Sequence, residues 1–285
     1  GGIVCVEGKL QPGIYTLPGN VSSQYISGLL FALPLLEEDS EIRITTELQS
    51  EDYVKMTLDT LKAFSISVVY EKNCFYIPGK QVYTIKDGLG VEGDWSNAAF
   101  FMTGAAIGQT QITYTNLNEA SLQGDKAVVD ILKNMGTNIE RCEDAYTVSG
   151  SKMTAVDIHA KAIPDLVPIL ALAASVSEGV TIISGAERLR IKESDRLKTV
   201  YETLSTLGAD IEEKEDGLII RGKAKLKGGV VSSHNDHRIA MMSAIASLVC
   251  EEDVIILQAE AVNKSYPGFY EDFEKLGGKV KIDKE

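Results

Sequence analysis

The stretch NDHRIAMMSAIASLV, residues 235–249, decides how the chain folds. From Ile239 onward it is apolar nearly all round, and a helix without a polar face has to be buried. Segments 25–36, 98–107 and 166–176 have the same character. A polar residue opens each of the four, Ser23, Ser96, Asp165 and Asp236, at a step of about 70 residues. Apolar residues that close Gly- or Ser-containing turns, Ile66, Ile139, Ile211 and Val280, keep the same step of about 70.

Each unit continues in the same order. A short β-branched run follows the buried helix, at 42–46, 112–115, 180–183 and 254–257. An amphipathic helix comes next, plainest in Leu197, Val200, Tyr201, Leu204 and Leu207. Alternating strands then flank the turns Lys72-Asn73, Glu143-Asp144 and Asp216-Gly217, the fourth unit stopping at Glu285. Residues 3–17 read as a hairpin, the tail of a preceding unit. Four apolar helices can hide only against one another, so the sheets must wrap outside them. The expected class is α/β with its helices in the middle. A linear solenoid is the alternative, but its repeats run to about 20–50 residues.

Composition narrows the function. The 285 residues are 44% hydrophobic and 24% charged, enough for one large or two modest cores. A formal net charge of −13 argues against unspecific binding to nucleic acid or to an anionic membrane. The apolar runs fall short of the roughly 20 residues of a membrane span. Cys5, Cys74, Cys142 and Cys250 lie far apart without metal-ligand spacing, which suits free thiols in a reducing compartment. His159, His234 and His237 are not at metal spacing either. The opening Gly1-Gly2-Ile3 has no basic n-region and reads like the interior of a longer protein.

Any anionic ligand must therefore meet a local basic cluster. Parallel buried helices would gather their N-termini, with unpaired N–H groups and positive dipole ends, at one end of the domain. Ser22-Ser23-Gln24, Asp94 to Asn97, Asp165 and Asn235 to Arg238 stand there. Asp94, Ser96 and Asp236 read first as N-caps, which contribute about 1 kcal/mol each without any ligand. Arg238 does not, because a cation in the first helical turn opposes the dipole unless an anion intervenes. A second cluster runs from Arg188 to Arg196, where Lys192 and Arg196 at i,i+4 would repel unless an anion sits between them. Asp165 and Glu193 are candidate proton acceptors, and Lys264 follows a strand at the same end.

Val21-Ser22-Ser23-Gln24, Lys192-Glu193-Ser194-Asp195-Arg196, Asn235-Asp236-His237-Arg238 and Lys264-Ser265-Tyr266-Pro267 resemble, in order, motifs of the 5-enolpyruvylshikimate-3-phosphate synthase family. The resemblance covers essentially the whole chain. It implies the enolpyruvyl transferase fold, an inside-out α/β architecture of six βαβαββ units in two domains, with the active site in the cleft between them. Residues 1–92 would be the last third of the first domain and 93–285 the second domain, about 140 residues being absent before Gly1.

The implied reaction moves the enolpyruvyl group of phosphoenolpyruvate to the 5-hydroxyl of shikimate 3-phosphate and releases phosphate, without metal or organic cofactor. Carried over by motif, Ser22, Ser23, Ser50 and Lys192 would hold the substrate phosphate, and Gln24, Tyr53 and Asp165 the shikimate ring. Arg188 stands where the family often has Asn, beside that ring. Gln24, Arg196, Arg238 and Lys264 would hold phosphoenolpyruvate, with Asp165 as base and Glu193 or Lys264 relaying the proton. The family reading also implies a cytoplasmic monomer at full length and a target of phosphoenolpyruvate mimics such as glyphosate. The chain by itself is expected to be inactive. A UDP-N-acetylglucosamine enolpyruvyl transferase, an RNA 3′-phosphate cyclase and a non-catalytic remnant are the competing readings.

Overall fold

The computed structural model describes residues 3–49, 51–85, 88–143 and 145–283. Two compact units emerge, one of Gly1–Val91 with Leu122–Gly124, the other of Glu92–Ser121 with Asp125–Glu285.

The first unit runs β1 (Ile14–Leu17), α1 (Ser23–Ala32), β2 (Ser40–Ile44), α2 (Glu51–Ala63), β3 (Val69–Glu71), β4 (Cys74–Ile77). Its sheet has the order β1-β2-β4-β3, with β1 parallel to β2 and the other pairs antiparallel. Lys72 and Asn73 both take positive φ, as a two-residue turn matched to strand twist requires. Ile26, Leu30, Ile42, Val54, Leu61 and Phe75 form its core.

The second unit repeats the pattern three times. First come α3 (Trp95–Ile107), β5 (Gln111–Tyr114), α4 (Val128–Asn134), β6 (Asn138–Cys142) and β7 (Ala145–Ser149). Next are β8 (Ile158–His159), α5 (Val167–Ser175), β9 (Val180–Ser184), α6 (Arg196–Thr206), β10 (Asp210–Lys214) and β11 (Gly217–Arg221). Last are β12 (Gly229–Ser232), α7 (His237–Ala246), β13 (Val254–Leu257) and α8 (Phe269–Lys275). The sheet β8-β9-β11-β10 reproduces the topology and strand directions of the first unit. Sheet β5-β7-β6 has the hairpin without a leading parallel strand, and β12-β13 has the parallel pair without the hairpin.

Helices α3, α5 and α7 pack on one another at the centre, with every residue of α5 and α7 buried. The strands turn one face inward onto them, Val148, Ile183, Leu218 and Ile220 pointing to the core while Val180 and Ile182 face outward. At the far ends of α3 and α7, Gly104 and Gly108 lie against Ile245 and Leu248. The class is therefore α/β with the helices inside.

Three expectations are corrected. Helix α1 is not buried all round: Ser23, Ile26 and Leu30 are buried, but Tyr25 is 62% exposed and Phe31 also faces outward, as does Leu35 in the 3₁₀ turn that follows. In the second unit each apolar helix is covered by two like it, whereas the described residues of the first unit supply one such helix. Residues 3–17 do not form a hairpin: only 14–17 are strand, and they lead the first unit instead of closing an earlier one. Val280 lies in irregular chain, and Asp144 of the second turn is outside the described residues.

Candidate functional site

In the second unit the helix N-termini meet. Pro164 sets a short 3₁₀ turn ahead of α5, and its next residue, Asp165, makes no capping bond. Asp236 caps α7 by accepting from the Arg238 N–H at 3.0 Å. Asp195 caps α6, so that Arg196 opens that helix. The Arg238 Nη1 donates to the Asp165 carbonyl at 3.3 Å, tying the start of α7 to the start of α5. Asn97, in the first turn of α3, donates to the Ser265 carbonyl at 3.3 Å, while Lys264 next to it donates to the Asn235 carbonyl. The three buried helices thus begin at one end, as parallel packing demands.

The ends meet through charge. Arg196 is 1% exposed, and four of its five N–H bonds end on carboxylates. They are Asp236 (2.8 and 3.2 Å), Asp165 (2.7 Å) and Glu193 (2.6 Å). Asp165 is also reached by Lys192 Nζ at 3.6 Å and Arg238 Nη2 at 3.3 Å. Burial pushes the Asp165 carboxyl up, but Arg238, Lys192 and Arg196 outweigh it and hold the group well below the carboxylate range. Asp236 is likewise pushed up by burial and brought below its ordinary value by Arg196. Arg188 is buried, which lowers its pKa, and feels the charge of Asp165.

The predicted residues divide accordingly. Asp165, Lys192, Glu193, Arg196 and Arg238 form one cluster, Arg188 lies within electrostatic reach of it, and Lys264 joins through the backbone of Asn235. On the first unit, Ser22 caps α1 by accepting from the Gln24 N–H at 3.3 Å, Ser23 is buried, Gln24 is exposed, and Tyr53 stands in the first turn of α2. Ser50 lies outside the described residues.

The expected repulsion between Lys192 and Arg196 does not arise. Lys192 precedes the helix, and both cations take the same Asp165 oxygen, so the anion between them is a side chain. Arg190 leaves the cluster for Asp195, Glu213 and the carbonyls of Lys214 and Glu215. Ser96 does not cap α3; its hydroxyl donates to Asp125 at 2.5 Å while Asp94 caps. The sequence reads Asp236 first as a cap and gives no second role to it, nor any role to His237 beyond its motif, whereas the buried His237 Nδ1 lies 3.9 Å from Asp236. No local signal pairs Asp236 with Arg196, which lies 40 residues away in the chain. Among the described residues no group of three or more His, Cys, Asp or Glu side chains could hold a metal ion, and no helix is long and apolar enough to cross a membrane.

The 3-phosphoshikimate 1-carboxyvinyltransferase of Clostridium novyi is 54% identical over 276 residues, covering 96% of this chain and 62% of its own length. That of Clostridium acetobutylicum is 51% identical, at 96% and 64% coverage. An EPSP synthase structure from Acinetobacter baumannii superimposes with a TM-score of 0.81 at 30% identity, over 97% of this chain and 65% of that one. The chain therefore spans slightly less than two thirds of the length of these relatives. Residues 4–273 match the family model described as EPSP synthase (3-phosphoshikimate 1-carboxyvinyltransferase), and the chain belongs to that family.

Proposed function

We propose that the chain carries the second domain, and the last third of the first, of a transferase acting on phosphoenolpyruvate and shikimate 3-phosphate. Residues 1–92 would be that last third and 93–285 the second domain, a reading supported by the exposed apolar side of α1 and by the relatives' greater length. The observation that carries the function is the convergence of Lys192, Arg196 and Arg238 on Asp165 where the buried helices begin. Cations gathered at helix N-termini in this way suit ligands bearing both carboxylate and phosphate.

In the reaction, the 5-hydroxyl oxygen of shikimate 3-phosphate bonds to C2 of phosphoenolpyruvate. Its proton passes to Asp165, and the methylene carbon gains a proton by way of Glu193 or Lys264. Phosphate then leaves C2, the methyl group loses a proton, and the enol ether forms. Arg196, Arg238 and Lys264 would stabilise the charges of the tetrahedral intermediate, with Gln24 on the phosphoenolpyruvate side. Ser22, Ser23, Ser50 and Lys192 would hold the shikimate phosphate, with Tyr53, Gln24 and Arg188 beside the ring. No metal or organic cofactor enters these steps. The proposed setting is a cytoplasmic monomer.

The test is phosphate release from the two substrates, assayed with the 285-residue chain and with the same chain joined to the N-terminal third of the Clostridium novyi relative. Release by the joined protein, dependent on both substrates, is the expected result. Absence of release from the joined, folded protein would sink the proposal, and turnover by the 285 residues alone would show that the remaining third is dispensable.

A further inference from the structure

The second unit already contains an anion in the place where an anion is wanted. Lys192, Arg196 and Arg238 present three cations, and a single carboxylate, that of Asp165, touches all three within 2.7–3.6 Å. With Asp236 and Glu193 on Arg196, these three cations already face three carboxylates, and Arg188 lies within electrostatic reach as a further cation.

The three carboxylates are not equally held. Asp236 is fully buried, caps α7 and accepts from Ser194 and Arg196, so it cannot leave without undoing the helix start. Glu193 is 41% exposed and touches only Arg196 among these cations. Asp165 makes no capping bond, is 17% exposed, and spends its side chain on the cations alone. An added dianion in this enclosed place would repel Asp165 at close range. Arg238 meanwhile has a buried Nε–H without an acceptor among the described residues, a donor still to be used.

We propose that the Asp165 carboxylate is a built-in stand-in for the ligand's anionic group, holding Lys192, Arg196 and Arg238 in place until a carboxylate or phosphate displaces it. Release frees the Asp165 side chain from three cations at the moment a ligand arrives, so anion binding and the availability of Asp165 as a proton acceptor are one event. The inference rests on the enolpyruvyl-transfer reading for the identity of the physiological anion, whereas simple anions test the exchange without any turnover.

The experiment is calorimetric titration of the 285-residue chain and its Asp165→Asn variant with inorganic phosphate and, separately, with pyruvate. Exchange predicts that the variant binds phosphate, pyruvate or both about tenfold tighter or more, because the competing charge is gone. Equal or weaker binding of both anions overturns it, as does failure of either protein to bind any anion. If the variant does not fold, the Asp165 13Cγ resonance of the wild-type chain decides. A shift that follows phosphate occupancy supports displacement, and an unmoved resonance at saturation overturns it. Absence of phosphate release from the wild-type joined protein, with the affinity gain of the Asp165→Asn chain intact, would count against the reaction and leave the exchange standing.

Discussion

The guanidinium of Arg196 lies along the carboxylate of Asp236, Nε to Oδ2 at 2.8 Å and Nη2 to Oδ1 at 3.2 Å, with both side chains all but excluded from solvent. Removing one member of a buried pair leaves the other charge unpaired, at a cost of about 3–5 kcal/mol. Arg196→Met, which strands the buried Asp236, is expected to destabilise the second unit by that amount, and Asp236→Asn by less, since Arg196 keeps Asp165 and Glu193. Arg196→Lys should rescue little, since one ammonium cannot span Asp165, Glu193 and Asp236 together. Urea unfolding of the three variants, compared at unchanged denaturant dependence, checks this.

The acid limb of stability follows from Asp165 and Asp236. Both have folded values below the unfolded value of about 3.9, so their contribution is present above that pH and is lost as pH falls through the folded values. Wild-type melting temperature should therefore drop steeply below about pH 4. The Asp165→Asn variant, less stable at neutral pH, should show a shallower fall, and parallel curves would contradict the assignment.

His237 adds a limb nearer neutrality. Burial, and then the charges of Arg238 and Arg196, bring its pKa below the ordinary value. The unfolded chain takes up the proton first, so stability present above about pH 6.5 declines as pH falls through that range. His237→Gln should remove this decline between about pH 7 and 5 while leaving the steeper acid limb. Denaturant midpoints across that range provide the measurement.

Much of the fold was legible because burial leaves a one-dimensional trace. An apolar helix such as Ile239 to Ala246 must be inside, and its recurrence gave the repeat. Helix α1 misled for the same reason: composition records what a helix can bury, not whether the described chain supplies its cover. At the site, the sequence located the charged residues but not their pairing. Lys192, Arg196 and Arg238 stand close to a carboxylate only because three separate helix starts are brought together, and that is a property of packing. Asp236 was read as a cap, and it is one; nothing local reveals that its remaining acceptor capacity faces an arginine 40 residues away.

Gly104 tests the core apart from the site. A Cβ built there would lie 3.2 Å from Ile245 Cδ1 and 3.5 Å from Leu248 Cδ1, away from the charged helix starts. Alanine gains helix propensity of about 1 kcal/mol and meets only movable methyl groups, so Gly104→Ala should stay within about 1 kcal/mol of wild type. Gly104→Leu overfills the contact and should cost about 1–3 kcal/mol. Thermal unfolding together with phosphate titration separates the two effects, because phosphate affinity should be unchanged in both variants.

Arg238 is the residue on which the proposed division of substrates can be tried. Its guanidinium holds Asp165 through both the side chain and the carbonyl, and its own N–H is capped by Asp236, so the α7 start does not depend on the side chain. Arg238→Ala should therefore fold, and should remove a charged contact worth about 1.5–3 kcal/mol from phosphoenolpyruvate. In the joined protein this predicts a rise of about tenfold to a hundredfold in KM for phosphoenolpyruvate, against a small change for shikimate 3-phosphate. The check is KM for each substrate with the other saturating. Equal weakening of both would mean that Arg238 acts through Asp165 and the ring side of the site, and the assignment to phosphoenolpyruvate would be lost.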